Sequence, residues 1–542
     1  MDVLIQAKNK KTIHDLLGQI DGPKTLVFDQ SVITLIDQTF TAKKGIKSEI
    51  PNICKIFYLD KIFNPAKTDC SDRIVYFVRS NSPKIQIVMN QVQTFPTPTY
   101  YVCFIPHFSL GCMKKFELNG VHESPLMFRE IPTIGLVPTE LVPTELVATE
   151  PDEKTPPKPN IFSMCTPIET HGPYALTENP FILYDVSYVL AKIGTFKNIH
   201  AVGKIAGKIL NHTKSLGIDK SADCFDTLIL IDRQCDLIAP ILSQKTYGGI
   251  IAEAFDEFKP NSNDPIYAKI KHIEYFDVPG FLQKAHKQNL ASGKILSDAK
   301  VGTIVLPTSE LNRLAQFVLE HPTAKIQEHV GQMEKIFGLY SSFLQDYVRA
   351  ESDVLVGSNQ TEYFDKLIST RHINTNSNSI PDKLLHAFRL VCLVAKCGGR
   401  TEPHVKAICQ EYGYKYFLMI QRLRSYGYDL TTSSADVFDG IIKTLDHTFT
   451  IQNAYEPIVP LLLNQIINKP KKTKSILKDF SIITHQNKVS AHVVVLPQTL
   501  VFVVGGITLD EVAAVRKKFP DVNIGSTNII SGTQFMQSFL YD

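Results

Sequence analysis

The chain has 542 residues, 44% of them hydrophobic and 20% charged, which is enough apolar sequence for several buried cores and excludes a disordered or fibrous protein. Lys plus Arg number 57 against 54 Asp plus Glu, a net charge of +3, so neither nucleic acid nor an acidic membrane is demanded as a partner. The ten Cys are scattered, and the polar start Met1–Lys11 has no apolar signal core behind it, which predicts a cytoplasmic chain with reduced thiols.

In chain order, Thr25–Phe28, Arg73–Val78 and Tyr100–Ile105 are short β-branched or aromatic runs bounded by Pro, Gly or Asp. With helical stretches between them they predict an α/β domain whose parallel sheet is covered on both faces. A tandem pentapeptide follows, Leu136-Val-Pro-Thr-Glu140, Leu141-Val-Pro-Thr-Glu145 and Leu146-Val-Ala-Thr-Glu150, running into Pro151, Pro156, Pro157 and Pro159. Proline at this density supplies few ladder hydrogen bonds, so 136–160 reads as an extended linker.

Beyond it the sequence predicts a helix over Ala201–Leu216 and a buried strand at Thr227–Ile231 that ends in Asp232-Arg233. A second buried strand, Leu500–Val504, leads into Gly505-Gly506 and a helix opened by the capping box Thr508-x-x-Glu511. The residues between the two strands read almost wholly as helix. The economical arrangement is a second α/β domain made of two chain segments around a helical insert; separate terminal domains are the alternative. The most apolar stretches, Ile458–Ile467 and Val493–Val504, are interrupted by Pro460 and Pro497 and fall short of the ~20 apolar residues of a membrane span.

Within the insert, Leu311, Leu314, Ala315 and Val318 predict a helix behind the cap Ser309, ended by His321-Pro322. After that break, Ile326, Val330, Met333, Phe337, Tyr340, Leu344 and Tyr347 alternate at four and three residues, the spacing of a coiled-coil seam. One long helix is predicted, with a seam that either meets other helices or is the hairpin's own core. Gly331 and Gly338, one heptad apart beside it, point to close backbone approach or built-in weakness.

Several motifs fail on inspection. Gly203-x-x-x-Gly207-Lys208 lacks the spacing and the following Ser or Thr of a phosphate loop, and Gly505-Gly506 lacks the third glycine of a dinucleotide site. Cys392, Cys397, His404 and Cys409 offer no short Cys-x-x-Cys knuckle, and the first two lie ~140° apart around a helix, so buried structural thiols are predicted. The basic run Lys469–Lys474 reads as a solvated loop.

The strongest local motif is Asp232-Arg-Gln-Cys-Asp236-Leu-Ile-Ala-Pro240, continued by Gln244-Lys-Thr-Tyr247-Gly-Gly-Ile-Ile251-Ala-Glu253. Two carboxylates at the carboxyl end of a strand suit a metal-assisted α/β enzyme; they equally suit a turn that caps and pairs itself. The stretch resembles the signature of the syntaxin-binding Sec/Munc (SM) family, Asp-Arg-x-x-Asp-Leu-x-Thr-Pro followed by Gln-x-Thr-Tyr-Glu-Gly-Leu-Ile-Asp-Glu, and departs from it at Ala239, Gly248 and Ala252. Tyr101–Pro106 with Cys112 and Gly120-Val121, Arg389–Leu393, Tyr412-Gly-Tyr414, and Leu500 through Arg516 are similar to the family's vacuolar class C branch, the SM subunit of the HOPS and CORVET tethers.

The resemblance implies an α/β protein forming a three-domain arch. Domain 1 would span 1–135, domain 2 would span 161–250 and 483–542, and a helical third domain would comprise a hairpin at 251–350 and a remainder at 351–482. It further implies that the hairpin templates the pairing of SNARE helices, syntaxin-like and R-SNARE, through Val330, Met333, Phe337, Tyr340, Leu344 and Tyr347. A helical-solenoid class C tether subunit would dock at Tyr412, Tyr414 and Phe417, aromatics that equally suit a core, while Asp232, Arg233, Asp236, Tyr247, Gly505 and Gly506 would serve structure. Neither cofactor, bound metal, catalysis nor small-molecule substrate is implied, and membrane association at late endosomes, lysosomes or the vacuole would run through partners.

Overall fold

The computed structural model describes residues between 2 and 540, apart from 139–160, 356–382, 431–454, 469–481 and several shorter segments. The first unit is a five-stranded parallel sheet in the order β2-β1-β3-β4-β5, with β1 Lys24–Phe28, β2 Ile53–Tyr58, β3 Arg73–Val78, β4 Thr99–Phe104 and β5 Leu126–Glu130. Helices α1 Asp2–Gly18 and α2 Gln30–Thr39 cover Leu26, Phe28, Val75 and Phe77 on one face. Helix α3, Ile85–Thr94, covers Val27, Ile74, Tyr76 and Val102 on the other. Strands β1, β3 and β4 are covered on both faces and therefore carry continuous apolar runs that the sequence displays directly. The edge strand β2 alternates buried and open positions, with Tyr58 exposed, and carries no such run.

The second sheet has seven strands in the order β10-β8-β9-β11-β12-β7-β6: β6 Val137–Pro138, β7 Ile161–Ser163, β8 Thr195–Val202, β9 Cys224–Asp232, β10 Ile482–Gln486, β11 Val495–Val504 and β12 Asn523–Ser526. The centre of the sheet is β9 paired in parallel with β11, Leu228 opposite Leu500 and Asp232 opposite Val504. Two distant chain segments therefore share one sheet, which rejects the alternative of separate terminal domains. Val137–Pro138 pairs antiparallel with β7, so the predicted linker begins as an edge strand, a place where proline is tolerated; residues 139–160 lie outside the described residues. The predicted helix over Ala201–Leu216 is shorter at its start, because Ala201 and Val202 end β8. Helices α4 Pro180–Ile193 and α5 Lys204–Ser215 pack on this sheet.

Between β9 and β10 every described element is helical: α6 Tyr247–Ala254, α7 Val278–Lys300, α8 Thr308–Glu320, α9 Thr323–Tyr340, α10 Phe343–Leu355, α11 Lys383–Lys396, α12 Glu402–Tyr412, α13 Tyr414–Tyr426 and α14 Ile458–Leu463 among them. Helix α8 begins one residue before the predicted cap Ser309, behind Pro307. The chain returns to the sheet and closes with α15 Leu509–Lys518 and α16 Gly532–Gln537. The first unit meets the second through Arg79, whose Nη2 donates to Met164 O at 3.0 Å, and through buried His107 and Asp185, 2.5 Å apart. No helix of the described residues is long and apolar enough to cross a membrane.

Candidate functional site

The carboxyl end of β9 holds Asp232, Arg233 and Asp236, all about 1% exposed. Asp232 Oδ2 accepts the Ile205 N–H at the start of α5 at 2.9 Å, and Oδ1 accepts Gln234 N–H at 3.0 Å. Its carboxylate thus occupies the helix end where a phosphate would sit. Gly203 turns there at φ +96, and a Cβ on it would lie 2.5 Å from Asp232 Cβ. Lys208 points into solvent, as the failed phosphate-loop spacing predicts.

Arg233 crosses to the other chain segment. Its Nη1 donates to Glu511 Oε2 at 2.8 Å, and Nε and Nη2 donate to Asp236 O at 3.1 and 2.8 Å. Burial opposes the guanidinium charge, yet Glu511 and Asp236 outweigh it and push its pKa upward. Asp236 Oδ1 accepts from Ile238 N, Ala239 N and the Tyr455 hydroxyl, and Oδ2 accepts from Ile458 N at the head of α14. The two carboxylates named by the enzyme alternative are therefore engaged by N–H and O–H donors that tie β9, α5 and α14 together, while Arg233 ties β9 to α15 through Glu511. Glu511 also closes the predicted capping box with Thr508.

The second half of the motif performs a related task. Asp510 accepts Lys245 N–H, Thr246 N–H and the Thr246 hydroxyl at 2.6, 2.9 and 2.7 Å, locking the segment before α6 against α15. Gly505 and Gly506 turn at φ +105 and +100, where Cβ atoms would meet Arg233 Cβ at 2.7 Å and Ile530 Cδ1 at 2.7 Å. At Gly248, where the family signature carries Glu, a Cβ would stand 2.9 Å from both Leu509 Cδ1 and Lys271 O, so a side chain at this position would be crowded. Ala239 keeps its backbone bond to Asp236 without a hydroxyl.

Tyr247 reaches into the insert: its hydroxyl lies 2.8 Å from His329 Nδ1 on α9 and donates to Gln332 Oε1 at 3.1 Å. His329 Nε2 lies 3.5 Å from Asp264 Oδ2, and Asp264 caps the turn Pro265–Ile270 through Ile266 N and Tyr267 N. Burial raises the Asp264 pKa, but the bonds from His329, Tyr267 and Ile266 prevail and bring it to about 2. Sequence pattern carries no signal for His329 or Asp264, since neither belongs to a periodic run or a spaced motif.

The seam divides. Ile326, Met333 and Ile336 pack inward against Tyr247, Ile251, Tyr267 and Leu282. At ~100° per residue the inward face centres between Met333 and Ile336, which leaves Val330 and Phe337 on its outer flank, 41% and 63% exposed. Met333 therefore belongs to a core rather than an open surface. Tyr347 does as well: it is fully buried in the cluster around α11, with its hydroxyl donating to His386 O at 3.1 Å and its ring 5.7 Å from the Arg389 guanidinium carbon. Helix is described over α9 up to Tyr340 and over α10 from Phe343; residues 341–342, on which the expected single long helix depends, and the side chains of Tyr340 and Leu344 lie outside the described residues. Nothing comes within 4 Å of a Cβ placed on Gly331 or Gly338, so close backbone approach is not their reason.

On α13 Phe417 and Leu418 are 42% and 38% exposed, while Met419 and Ile420 face the core. Gly413 turns at φ +93 between α12 and α13; the side chains of Tyr412 and Tyr414 lie outside the described residues. Cys392 is buried, but Cys397 is exposed at the end of α11 and is not the core thiol predicted.

The Sec1 family model matches residues 24–538. The chain is 23% identical to vacuolar protein sorting-associated protein 33A of Rattus norvegicus, over 100% of this chain and 98% of that protein. It is 24% identical to vacuolar protein sorting-associated protein 33B of Danio rerio, over 76% and 67%. Among solved structures it matches the Unc18–syntaxin 1 complex from Monosiga brevicollis with a TM-score of 0.59 at 14% identity, covering 99% of each chain. Sly1p in complex with an N-terminal peptide of Sed5p matches with a TM-score of 0.56 at 12% identity, covering 99% and 98%.

Proposed function

The chain belongs to the Sec1 family, and from that membership we propose that it binds SNARE helices and guides their assembly in vesicle docking and fusion, as a non-catalytic SM subunit of a HOPS- or CORVET-type tether. The observation that carries this reading is the outer flank of α9, where Val330 and Phe337 stand open one heptad apart on a helix whose inner face is anchored by Ile326, Met333 and Ile336. SNARE motifs are heptad helices, and a rigid helix with open apolar positions at that spacing suits helix-on-helix docking. A preformed surface also lowers the entropy lost when disordered segments become helical.

The vacuolar assignment is supported by the similarity to the 33A and 33B relatives over most of their length. We place the tether-subunit contact on α13 around Phe417, with Tyr412 and Tyr414, and the site of action at late endosomes, lysosomes or the vacuole, reached through partners. An SM protein of another trafficking step is the second reading, since the fold is shared with Sly1p as well. The engagement of Asp232 and Asp236 by backbone and hydroxyl donors weighs against the metal-assisted enzyme.

The test is an affinity-tagged purification from the native cell read by mass spectrometry. SNAREs recovered with large helical-solenoid subunits support the tether reading. SNAREs without them move the protein to another SM step, and recovery of neither overturns the proposal.

A further inference from the structure

No side chain of α8, Thr308–Glu320, is fully buried, although the helix carries Leu311, Leu314, Phe317 and Val318. A helix with so little buried surface depends on its ends for attachment. The C-terminal end of α8 is tied to the body of the insert by a knot of hydrogen bonds. Asn289 on α7 donates through Nδ2 to Val318 O and His321 O at 3.4 and 2.6 Å, and its Oδ1 accepts the Thr323 hydroxyl at 3.2 Å. Lys269, from the turn Pro265–Ile270, donates through Nζ to Glu320 Oε2 at 2.6 Å and to His321 Nε2 at 3.1 Å.

The partners of His321 fix the state of its ring. Nδ1 lies 2.9 Å from Phe317 O, a carbonyl that only accepts, so Nδ1 carries the proton. Nε2 faces an ammonium that only donates, so Nε2 presents its lone pair. The imidazole is therefore neutral in this arrangement, and a second proton on Nε2 would abolish the bond from Lys269 and set N–H against ammonium. His321 is 6% exposed, which leaves water little access to screen that conflict.

The groups around the ring come from every element of the knot. The turn contributes Lys269, α7 the neutral Asn289 amide and α9 the Thr323 hydroxyl, while Lys325 of α9 is directed to Asp264 and Glu328. Helix α8 contributes Glu320 and the Phe317 ring, which is stacked on the imidazole at 4.1 Å. Both would favour a cation, but the Glu320 carboxylate is engaged by Lys269 and by Gln316.

We propose that His321 is an acid-sensitive switch for the attachment of α8: the neutral ring holds the C-terminal end of the helix to Lys269, and protonation displaces Lys269 from Nε2 and frees that end from the turn Pro265–Ile270. The switch acts on α8 whatever binds α9. Burial first, and then the Lys269 charge, hold the His321 pKa below its ordinary 6.5 against the Phe317 carbonyl and the Glu320 charge. The sign follows from linkage. A histidine whose folded pKa lies below its unfolded value contributes fully above 6.5, and that contribution is lost as pH falls through the lower folded value.

The experiment follows amide hydrogen exchange of α8 in the full chain by mass spectrometry from about pH 7.5 to about pH 5, each rate divided by the intrinsic rate at that pH. Wild-type protection should fall with acid by up to about tenfold per pH unit, the limit for one proton. His321→Gln, whose amide does not titrate, should keep its protection constant. Lys269→Met, which removes the ammonium that opposes the proton, should be less protected at neutral pH and lose most of the acid response; it also serves if the amide variant misfolds. Constant wild-type protection, or an acid response as large in either folded variant as in the wild type, overturns the switch.

Discussion

Arg233 and Glu511, 278 positions apart in the sequence, are joined by a 2.8 Å ion pair in which both side chains are buried. The pair fastens the end of β9 to the start of α15, and with it the two chain segments that share the second sheet. Removing Arg233 leaves Glu511 buried and charged without its counter-ion, whereas removing both partners does not.

Arg233→Met should therefore destabilise the protein by about 3–5 kcal/mol. The double variant Arg233→Met with Glu511→Met should recover part of that loss. Chemical denaturation of the single and double variants measures the coupling directly.

Asp236→Asn keeps the shape of the side chain but replaces one acceptor oxygen with an N–H₂ group. Oδ1 and Oδ2 both accept from N–H or O–H donors, so either amide orientation sets donor against donor. We expect a loss of about 1–3 kcal/mol. The tie to Ile458 should open first, seen as faster amide exchange at the head of α14.

Gly203→Ala, Gly505→Ala and Gly506→Ala should each lower the thermal midpoint, because each adds a Cβ at positive φ within 2.7 Å of a packed atom. The cost is ~1–3 kcal/mol each from backbone strain alone. Gly331→Ala has open space around it and should raise the midpoint slightly through helix propensity. A matched set of melting curves separates the two kinds of glycine.

The contrast between those glycines also marks what was legible in the sequence. The continuous apolar runs of β1, β3, β4, β9 and β11 announced their strands, and the capping box at Thr508 announced α15. The division of the second domain followed from two buried strands flanking a helical stretch. The edge strands β2, β6 and β10 were silent because half-open or very short strands carry no apolar run. The division of the seam was equally hidden: a heptad pattern gives the spacing of apolar residues on a helix but not the direction of its neighbours. His329 and Asp264 came together only through tertiary packing, which no local pattern records.

Acid should act on the base of α9 through Asp264. Its folded pKa of about 2 lies below the reference value of 3.8, so its contribution is complete above 3.8 and is lost as pH falls through about 2. Asp264→Asn should be less stable than the wild type at pH 7, and the two should converge toward pH 2. Denaturation midpoints across that range check the sign.

SNARE docking is proposed on the outer flank of α9, and titration calorimetry of the full chain with the cytosolic segment of a Qa SNARE from the same organism tests it. Phe337→Asp should leave the melting curve unchanged, because the side chain is 63% exposed, and should weaken binding by at least ~30-fold, the loss expected for a hot-spot residue. An unchanged dissociation constant for this folded variant would contradict SNARE docking on α9.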